Sequence, residues 1–522
     1  MSRTRLPAVL ASLSLALVAC GGSSGAPVAQ DSPSPAEAAP STPAASPATS
    51  TPPAVVTPTP TAVVPKALAW KGCKDGFECS TLSVPLDYAK PADGNVSLRL
   101  VRIKATNPSR RIGAMLVNPG GPGVSAVDFL RGFAKGSTPE VLRRQFDLVA
   151  FDPRGTTGSA PVHCLGTAQL DRFFKVDQDP DDPAEVRALD DQSKVLAQGC
   201  QQRSGRILAH LSTADAARDM DSVRAALGEA KLTYLGYSYG TALGAAYLDQ
   251  FPTHVRAMVL DGALDPTLTW DQVVIGQAKG FDGALRSFLA WCNAHADKCE
   301  FRGAVEGDLG AAYDRIRARL EKSPAPGIGK RTVGPAELYF GAGQSLYSTS
   351  YWESLGTGLA ELEGGQGSVM LQLSDLYLDR GENGYTNTIE ANYAVNCVDR
   401  PFPKDNAAYQ QLADKLATDA PRFGPGVAWG SQACARWPVP PTGTPHAVSG
   451  KGSPPIVVIG TTRDPATPYV WAQALAKQLD KGVLITFNGD GHTAFRRGAP
   501  ACVVDPVNIY LLTGKAPADT RC

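Results

Sequence analysis

The sequence lacks an excess of charge of either sign, because 50 Lys and Arg residues balance 50 Asp and Glu residues among 522 positions. Proteins that bind nucleic acid need a basic surface, so we expect no nucleic-acid partner. The sequence also lacks a Cys-x-x-Cys motif, which argues against a zinc site or a redox dithiol, and we expect no metal. With 43% hydrophobic residues, the composition predicts a globular protein that buries a large core.

The apolar run at the N-terminus, residues 6–19, is too short to cross a bilayer comfortably. Arg3 and Arg5 precede it and small residues end it, a pattern typical of a secretory signal. The ending Leu17-Val-Ala-Cys20 resembles a bacterial lipoprotein signal, in which Cys20 becomes the lipidated first residue. The alternative is an ordinary cleaved signal with an incidental cysteine. We interpret residues 1–20 as a lipoprotein signal peptide and expect an exported protein, either lipid-anchored at the cell membrane or extracellular, that meets the membrane only through this anchor.

Residues 21–65 consist almost entirely of Ala, Pro, Ser, Thr, Gly and Val. Such a segment cannot bury enough apolar surface to offset the entropy that ordering would cost. Its many prolines favour an extended spacer. We predict a disordered stalk that holds the folded part of the chain away from the membrane.

Apart from Cys20, the chain has ten cysteines, an even number that indicates disulfide bonds in an exported protein. Spacing does not determine the pairing, although pairing of nearest neighbours would close five local loops. Free buried thiols remain the alternative for any one pair. The candidates are Cys73, Cys79, Cys164, Cys200, Cys292, Cys299, Cys397, Cys434, Cys502 and Cys522.

Beyond the stalk, short apolar runs alternate with helical patterns, as in a mostly parallel sheet covered by helices on both faces. One helix is predicted from Ser212 or Thr213 to Gly228. The predicted strands are residues 96–103, 114–117, 148–151, 233–235, 257–260, 456–459 and 483–487.

The strand pattern is interrupted between about residues 267 and 440, where helix-like segments and aromatic-bearing loops predominate. The clearest of these helical segments are residues 272–291, 309–320 and 406–419. We predict an α/β protein in which residues 66–266 and 441–522 form the sheet domain. Residues 267–440 then form a mainly helical cap inserted into it.

The pentapeptide Gly236-Tyr237-Ser238-Tyr239-Gly240 lies between a predicted strand and a predicted helix. In a nucleophile elbow, the serine occupies a strained turn at this position, and glycines on both sides allow the backbone to cross closely. The motif alone occurs by chance, and a structural turn is the alternative. Its position after a strand and before a helix favours Ser238 as a nucleophile.

A nucleophilic serine needs a histidine base and an acid that orients it, and in this fold both follow the serine. Asp464 and His492 each come directly after a predicted strand, at the sheet edge where open α/β sheets bind ligands. Asp490 and Asp505 are rival acids, and Asp490 is awkwardly close to His492 in sequence. We predict a Ser238–Asp464–His492 triad. His446 precedes Asp464 and lies in a Pro/Gly-rich stretch, and the remaining histidines are expected at the surface or in the core: His163, His210, His254 and His295.

The tetrahedral intermediate of acyl transfer needs N–H donors for its oxyanion. The loop Asn118-Pro-Gly120-Gly121-Pro-Gly123 follows a predicted strand, so we expect donors from Gly121 and Tyr239, with Gly120 as the next choice. The same glycines fit a loose dinucleotide-binding pattern. Its prolines remove backbone donors and an exported protein has little access to NAD, so we expect no cofactor.

Eight motifs in this order resemble the secreted actinobacterial tripeptidyl aminopeptidases and their envelope-anchored lipoprotein relatives, which are similar to prolyl aminopeptidases. The resemblance spans residues 70–522. The motifs are Val84-Pro-Leu-Asp-Tyr88, Asn118-Pro-Gly-Gly-Pro-Gly123, Phe151-Asp-Pro-Arg-Gly155, Gly236-Tyr-Ser-Tyr-Gly-Thr241, Leu260-Asp-Gly-Ala263, Asn396-Cys-Val-Asp399, Asp464-Pro-Ala-Thr-Pro468 and Gly491-His-Thr-Ala494.

This resemblance implies an α/β-hydrolase fold with a helical cap, triad roles for the three residues above and an oxyanion hole at Gly120 and Gly121. It also implies a serine exopeptidase that cleaves peptides or small proteins near a free N-terminus. Proline-specific relatives have His-Gly-Gly-Pro-Gly where this chain has Asn-Pro-Gly-Gly-Pro-Gly, which weakens the case for a proline preference. Thr157 also stands where glycine is common.

An aminopeptidase binds a substrate ammonium, usually with carboxylates near the cap. Asp399 and Glu390 are candidates, followed by Glu382 and Glu353, although a solvated or structural role is the alternative for each. Two rival functions remain open: a carboxylesterase or lipase with the same triad, and a non-catalytic envelope binding protein on a hydrolase scaffold. We expect a monomer.

Overall fold

The computed structural model describes residues 68–522. The predicted signal peptide, Cys20 and the predicted stalk therefore lie outside the described residues. Within the described part of the chain, no helix combines the length and the apolar character needed to span a membrane.

Ten strands form one mixed sheet in the order β1-β2-β3-β5-β4-β6-β7-β12-β13-β14. Along this order, the pairs β1–β2, β2–β3 and β3–β5 are antiparallel, and every later pair, from β5–β4 to β13–β14, is parallel. The strands, with two small hairpins, are β1 Lys71–Gly72, β2 Glu78–Pro85, β3 Asn95–Ile103, β4 Gly113–Asn118, β5 Phe146–Phe151, β6 Leu232–Tyr237, β7 Val255–Asp261, β8 Ala325–Pro326, β9 Thr332–Val333, β10 Arg380–Gly381, β11 Gly384–Tyr385, β12 Ile456–Arg463, β13 Gly482–Asp490 and β14 Thr520–Arg521.

Helices cover the sheet and form most of the rest of the described chain. They are α1 Ala126–Gly132, α2 Glu140–Gln145, α3 Thr167–Lys175, α4 Pro183–Leu208, α5 Thr213–Ala226, α6 Tyr239–Gln250, α7 Trp270–Ala294, α8 Glu300–Ala304, α9 Leu309–Lys322, α10 Pro335–Leu346, α11 Trp352–Glu363, α12 Ser368–Tyr377, α13 Thr388–Asp399, α14 Asn406–Asp419, α15 Gly424–Trp429, α16 Tyr469–Gln478 and α17 Ala501–Thr513.

All seven predicted strands are confirmed, and each is longer than predicted by one to four residues. The central strands are apolar on both faces because successive side chains enter opposite layers of core. In β4, Ala114 and Leu116 join one hydrophobic cluster while Met115 and Val117 join the other. The α/β fold class is therefore confirmed, and it follows from continuous burial along the parallel strands.

The sheet order brings four strands side by side as β6, β7, β12 and β13, all parallel. Parallel neighbours end at the same edge, so the loops after these strands meet there. Three of the loops contain Ser238, Asp464 and His492, and the fourth begins at Gly262.

Between Asp261 and Ile456 the chain leaves the sheet and forms helices α7 to α15 with the two small hairpins. The insertion has its own core, in which α7, α9, α10, α11 and α12 pack together. The prediction of a mainly helical insertion is thus confirmed, although its exact boundaries remain a prediction. The three predicted helical segments correspond to α7, α9 and α14.

A second helical excursion, α3 and α4, was not predicted as part of the cap, yet it contacts the insertion. Arg380 and Tyr385 of the insertion bond Asp171 of α3, and Arg436 bonds Asp190 of α4. Helix α4 could not be predicted from the sequence, because the apolar residues of this helix are sparse and do not form a pronounced stripe.

Five disulfides link the ten described cysteines, each to its nearest neighbour in the sequence. They are Cys73–Cys79, Cys164–Cys200, Cys292–Cys299, Cys397–Cys434 and Cys502–Cys522. Disulfides of this kind are typical of exported proteins. The fourth bridge ties α13 to the end of the insertion, so it holds a helix that also contacts the candidate site described next.

Candidate active site

Ser238 lies in the sharp turn between β6 and α6. Its backbone has φ 55° and ψ −125°, a conformation that is rare for residues other than glycine. Its N–H donates to the carbonyl of Asp261 at 2.9 Å, and α6 begins at the next residue. Such strain persists only where the surroundings impose it, and it is characteristic of functional turns. The side chain is therefore presented at the sheet edge, above the N-terminus of a helix.

The two glycines of the pentapeptide are required by close backbone contacts. A Cβ on Gly236 would lie 2.5 Å from the carbonyl oxygen of Gly240, and one on Gly240 would lie 2.9 Å from the carbonyl oxygen of Asn118. Neither distance is possible for a real side chain. The turn around Ser238 is thus incompatible with any larger residue at positions 236 and 240.

Asp464 and His492 are in direct contact. His492 Nδ1 is 2.9 Å from each carboxylate oxygen of Asp464, and Asp464 is 3% exposed. Backbone N–H groups of Ala466 and Thr467 also donate to Asp464 Oδ1, at 2.9 and 2.8 Å. These bonds fix the carboxylate as an acceptor, so that Nδ1 carries the proton and Nε2 is the free nitrogen of the neutral ring.

The Nε2 atom of His492 is buried and has no hydrogen-bond partner within residues 68–522. A hydrogen bond to Ser238 Oγ is therefore not formed in this structure, as is common for catalytic contacts before substrate binds. The two residues are nevertheless neighbours through one segment of chain. Ser238 N–H bonds the carbonyl of Asp261, and a Cβ on the next residue, Gly262, would lie 3.0 Å from His492 Cε1.

Burial lowers the pKa of His492, but the charge and hydrogen bond of Asp464 and the charge of Asp261 oppose it. The net effect raises the pKa of His492 above its usual value. An imidazole that protonates readily is suited to accept a proton from a serine hydroxyl.

The rival residues lie elsewhere. Asp490 is paired with Arg463 at 2.8 and 2.9 Å, and Asp505 is exposed on α17. Among the other histidines, His254 bonds Asp221 and His446 bonds Asp249 and the Thr444 carbonyl. His295 bonds the Trp291 carbonyl, and the remaining two, His163 and His210, are exposed or half-buried.

The glycine-rich loop after β4 runs beside the nucleophile. A Cβ on Gly120 would lie 2.7 Å from Ser238 Cβ and 3.0 Å from the nitrogen of Tyr239. The N–H of Gly120 already donates to Asn118 Oδ1 at 2.9 Å, whereas within the described chain the N–H groups of Gly121 and Tyr239 have no acceptor. This pattern favours Gly121 over Gly120 as an oxyanion donor.

The insertion contacts both loops of the site, which the sequence did not reveal. The Tyr347 carbonyl, after α10, accepts the N–H of His492 at 2.8 Å, and the two rings meet edge to face. Asn392 of α13 donates from Nδ2 to the Pro122 carbonyl at 3.2 Å, and Gly123 has no room for a Cβ against the Thr388 carbonyl. Backbone carbonyls leave no sequence signal, so these contacts could not have been predicted from residue types.

The acids considered for a substrate ammonium are engaged elsewhere or exposed. Asp399 accepts the N–H and hydroxyl of Thr213 and, through burial, has a pKa raised to about 6. Glu390 accepts the N–H groups of Cys164 and Leu165 at 2.7 and 2.8 Å. Glu382 and Glu353 are exposed. The internal bonds of the first two fit the structural alternative.

A further buried acid, Asp261, is not exposed at all and accepts backbone N–H groups of the His492 loop. The only sequence signal for it was its place in the motif Leu260-Asp-Gly-Ala263. For a cation, the described residues bring together the carboxylates of Asp181, Asp182 and Glu185. Asp182 caps α4 and Glu185 accepts the Asp181 N–H, so helix capping accounts for this group.

Comparisons with known proteins agree with this geometry. The family model described as "alpha/beta hydrolase fold" matches residues 113–298, and the one described as "TAP-like protein" matches residues 420–522. Serine protease Hip1 of Mycobacterium tuberculosis is 39% identical over 456 residues, covering 85% of this chain and 86% of the relative.

Two further relatives align over similar lengths. Carboxylesterase B of Mycobacterium tuberculosis is 39% identical over 477 residues, covering 88% of this chain and 91% of the relative. Tripeptidyl aminopeptidase of Streptomyces lividans is 34% identical over 452 residues, covering 85% and 83%. With an elbow serine, an α/β sheet and relatives of this similarity, the chain belongs to the TAP-like serine peptidases of the α/β-hydrolase fold.

Proposed function

We propose that this protein is an exported serine exopeptidase that releases short peptides from a free N-terminus. Ser238 is the nucleophile, His492 the general base and then general acid, and Asp464 the acid that orients the ring. Peptides or small proteins are the substrates, and the chain acts as a monomer. Relatives named serine protease and tripeptidyl aminopeptidase support peptide hydrolysis.

One observation supports the triad above all others: among residues 68–522, the buried Nε2 of His492 has no hydrogen-bond partner, while its Nδ1 is held by Asp464. A buried polar atom without a partner is costly unless a reacting group fills the place. Ser238 is the neighbouring nucleophile, because its N–H bonds the carbonyl of Asp261 at the end of β7.

The reaction would proceed through an acyl-enzyme. Ser238 Oγ attacks the substrate carbonyl as His492 Nε2 takes the hydroxyl proton. The N–H groups of Gly121 and Tyr239 stabilise the oxyanion, and His492 returns the proton to the leaving amine. Water, deprotonated by the same nitrogen, then attacks the acyl-enzyme, and His492 gives that proton to Ser238 Oγ as the peptide leaves as its carboxylic acid.

Carboxylester hydrolysis is the second candidate, because a relative named Carboxylesterase B is as similar to this chain as the named serine protease. Both reactions use the same triad and pass through an acyl-enzyme. They differ in the substrate that the insertion admits.

The test is a substrate panel on purified wild type, with Ser238→Ala as the matched control for contaminating hydrolases. Aminoacyl, dipeptidyl and tripeptidyl anilides are compared with N-blocked forms and a simple acyl ester. We expect the best turnover on an anilide with a free amine, and loss of turnover in Ser238→Ala. Turnover of the ester with none of any anilide would contradict a peptidase and favour the esterase.

We also propose that Cys20 carries the lipid of an N-terminal anchor, followed by the stalk of residues 21–65. The five disulfides support folding outside the cytoplasm. Metabolic labelling with an alkyne fatty acid tests the anchor. Label should be incorporated into wild type and absent from Cys20→Ala, and label retained in that variant would contradict the assignment.

A further inference from the structure

Asp261 ends strand β7 at the point where the Ser238 turn and the His492 loop meet. It is 0% exposed, and the proposed triad already has its acid in Asp464. Burying a second carboxylate beside the proposed catalytic histidine is costly unless its hydrogen bonds are satisfied. Its contacts show how it is accommodated.

The backbone at this position contacts both candidate catalytic residues. The carbonyl of Asp261 accepts the N–H of Ser238 at 2.9 Å, across the neighbouring strands β6 and β7. Gly262 follows at φ 68° and approaches the His492 ring so closely that a Cβ would lie 3.0 Å from Cε1. Its N–H bonds the Ile459 carbonyl of β12. Residues 261 and 262 therefore form a backbone bridge between the two sides of the site.

The side chain of Asp261 holds the loop that carries His492. Its carboxylate accepts the N–H of Ala494 at 3.0 and 3.1 Å and that of Phe495 at 2.7 Å. These residues are two and three positions after the histidine, and both are buried. The same loop is also tied to β6, since Tyr237 donates its hydroxyl to the Phe495 carbonyl at 2.8 Å.

The charge of Asp261 also acts on the histidine. Burial raises the pKa of Asp261 to about 6, while the two N–H donors and His492 oppose the rise and Asp464 adds to it. In return its charge is one of the factors that raise the pKa of His492. The titratable groups facing His492 are Asp464 after β12, Asp261 on β7 and Tyr347 of the insertion; Tyr237 on β6 faces Asp261.

We propose that Asp261 is a positioning residue that holds Ser238 and His492 in register and favours the imidazolium formed during attack. It does so with its carbonyl on the serine turn and its carboxylate on the histidine loop. This inference rests on the proposed triad. The alternative is a buried acid that only stabilises the fold, and the two make different predictions for the histidine.

Asp261→Asn is the direct test, because the amide has the same shape but no charge and one acceptor oxygen fewer. We expect kcat to fall by up to about 100-fold, the size of effect that follows a displacement of about 1 Å. KM should change by no more than about twofold, since no substrate contact is assigned to Asp261. The acid limb of the pH profile should move to lower pH, because His492 loses a nearby negative charge.

Asp147→Asn is the matched control. Asp147 is also a buried strand acid, 7% exposed, and it accepts the Ala105 N–H and Arg111 Nε at 2.8 Å. It lies on β5, which is separated from β7 by two strands. This variant should lower the unfolding temperature while leaving the pH profile of kcat in place.

A titration of His492 by NMR, assigned with His492→Gln, makes the test independent of any substrate. Asp261→Asn should lower the pKa of His492, whereas Asp147→Asn should not. If wild type hydrolysed nothing on the substrate panel, the proposed function would fail, but this titration would still decide the role of Asp261. An unchanged kcat together with an unchanged His492 pKa in folded Asp261→Asn overturns the proposal.

Tyr237→Phe serves if Asp261→Asn does not fold. It removes only the hydrogen bond from Tyr237 of β6 to the His492 loop, so the fold should persist. We expect kcat to fall by about 2- to 10-fold without a change in KM, in line with the loss of one buried hydrogen bond. Because Asp261 still holds the loop in this variant, an unchanged kcat overturns the proposal when His492 of the wild type also titrates at or below its usual pKa of 6.5, since neither effect of Asp261 would then be present.

Discussion

The sheet domain and the insertion contribute to the site in different ways. The sheet supplies side chains: Ser238, Asp464 and His492 follow strands β6, β12 and β13. The insertion supplies the Tyr347 carbonyl to the histidine loop and the Asn392 amide to the glycine-rich loop. The proposed triad therefore comes from one region, and support for its loops comes from the other.

This division suggests that the two regions respond differently to change. The insertion also places an aromatic cluster next to the histidine, since Tyr347 contacts the His492 ring and Phe281 packs on Tyr347. Phe423 in turn contacts Phe281 and Tyr339. We expect substitutions in the sheet to affect every substrate, and those in the insertion to have smaller effects that depend on the substrate.

The largest effect is expected for Asp464→Asn, which should lower kcat by about 10⁴-fold on any substrate, because the ring loses its orienting acceptor. Asp490→Asn is the control, since Asp490 pairs with Arg463 whereas the ring nitrogen Nδ1 bonds Asp464. Steady-state kinetics should show that the kcat of Asp490→Asn lies within about twofold of the wild-type value. Similar losses in both variants would contradict the assigned acid.

Stability should show the next largest contrast. In the sheet domain, Arg154 and Asp219 form a pair that is 1% and 0% exposed, so Asp219→Ala should destabilise the protein by about 3–5 kcal/mol. In the insertion, Asp314 pairs with Arg422 but is 54% exposed, and Asp314→Ala should cost about 0–1 kcal/mol. Denaturant unfolding measures both, and equal losses would contradict the contrast.

The pH profile should follow His492. The pKa of His492 is raised above its usual value of 6.5, and the ring gains a proton as the pH falls through this raised pKa. The protonated ring cannot act as a base. The acid limb of kcat/KM should therefore lie above pH 6.5 and decline about tenfold per pH unit below it. A limb at or below the usual histidine value would show that the buried carboxylates do not act on the ring.

The smallest effect is expected in the insertion. Asn392→Ala removes one hydrogen bond to the glycine-rich loop after β4, so kcat should fall by about 2- to 10-fold. Gln410→Ala, which removes an exposed bond to Asp414 on α14, should leave kcat unchanged. A loss in Asn392→Ala that matched Asp464→Asn would mean that the insertion takes part in the chemistry.

The sequence was most informative where residue type and position are both constrained. Buried parallel strands predicted the sheet, and Gly236 and Gly240 marked a turn that tolerates nothing larger. The sequence was least informative where backbone atoms make the contacts that hold the site. The Tyr347 carbonyl could belong to any residue, and Asp261 resembled many other strand-end acids until its contacts with Ala494 and Phe495 were known.

The choice between Gly120 and Gly121 shows the same limit. Both glycines were visible, but only the bond from the Gly120 N–H to Asn118 separates them. Helix α4 was not predicted because a long helix lying on the surface of a domain needs only a sparse apolar face.

The most direct test of the assembled site is labelling with a fluorophosphonate, followed by intact mass and peptide mapping. We predict one phosphonyl group per wild-type chain, on Ser238, and none on Ser238→Ala. His492→Gln should label far more slowly, because the base is missing. A wild type that takes up no label, or carries it on another residue, would contradict the assignment of Ser238 as the nucleophile.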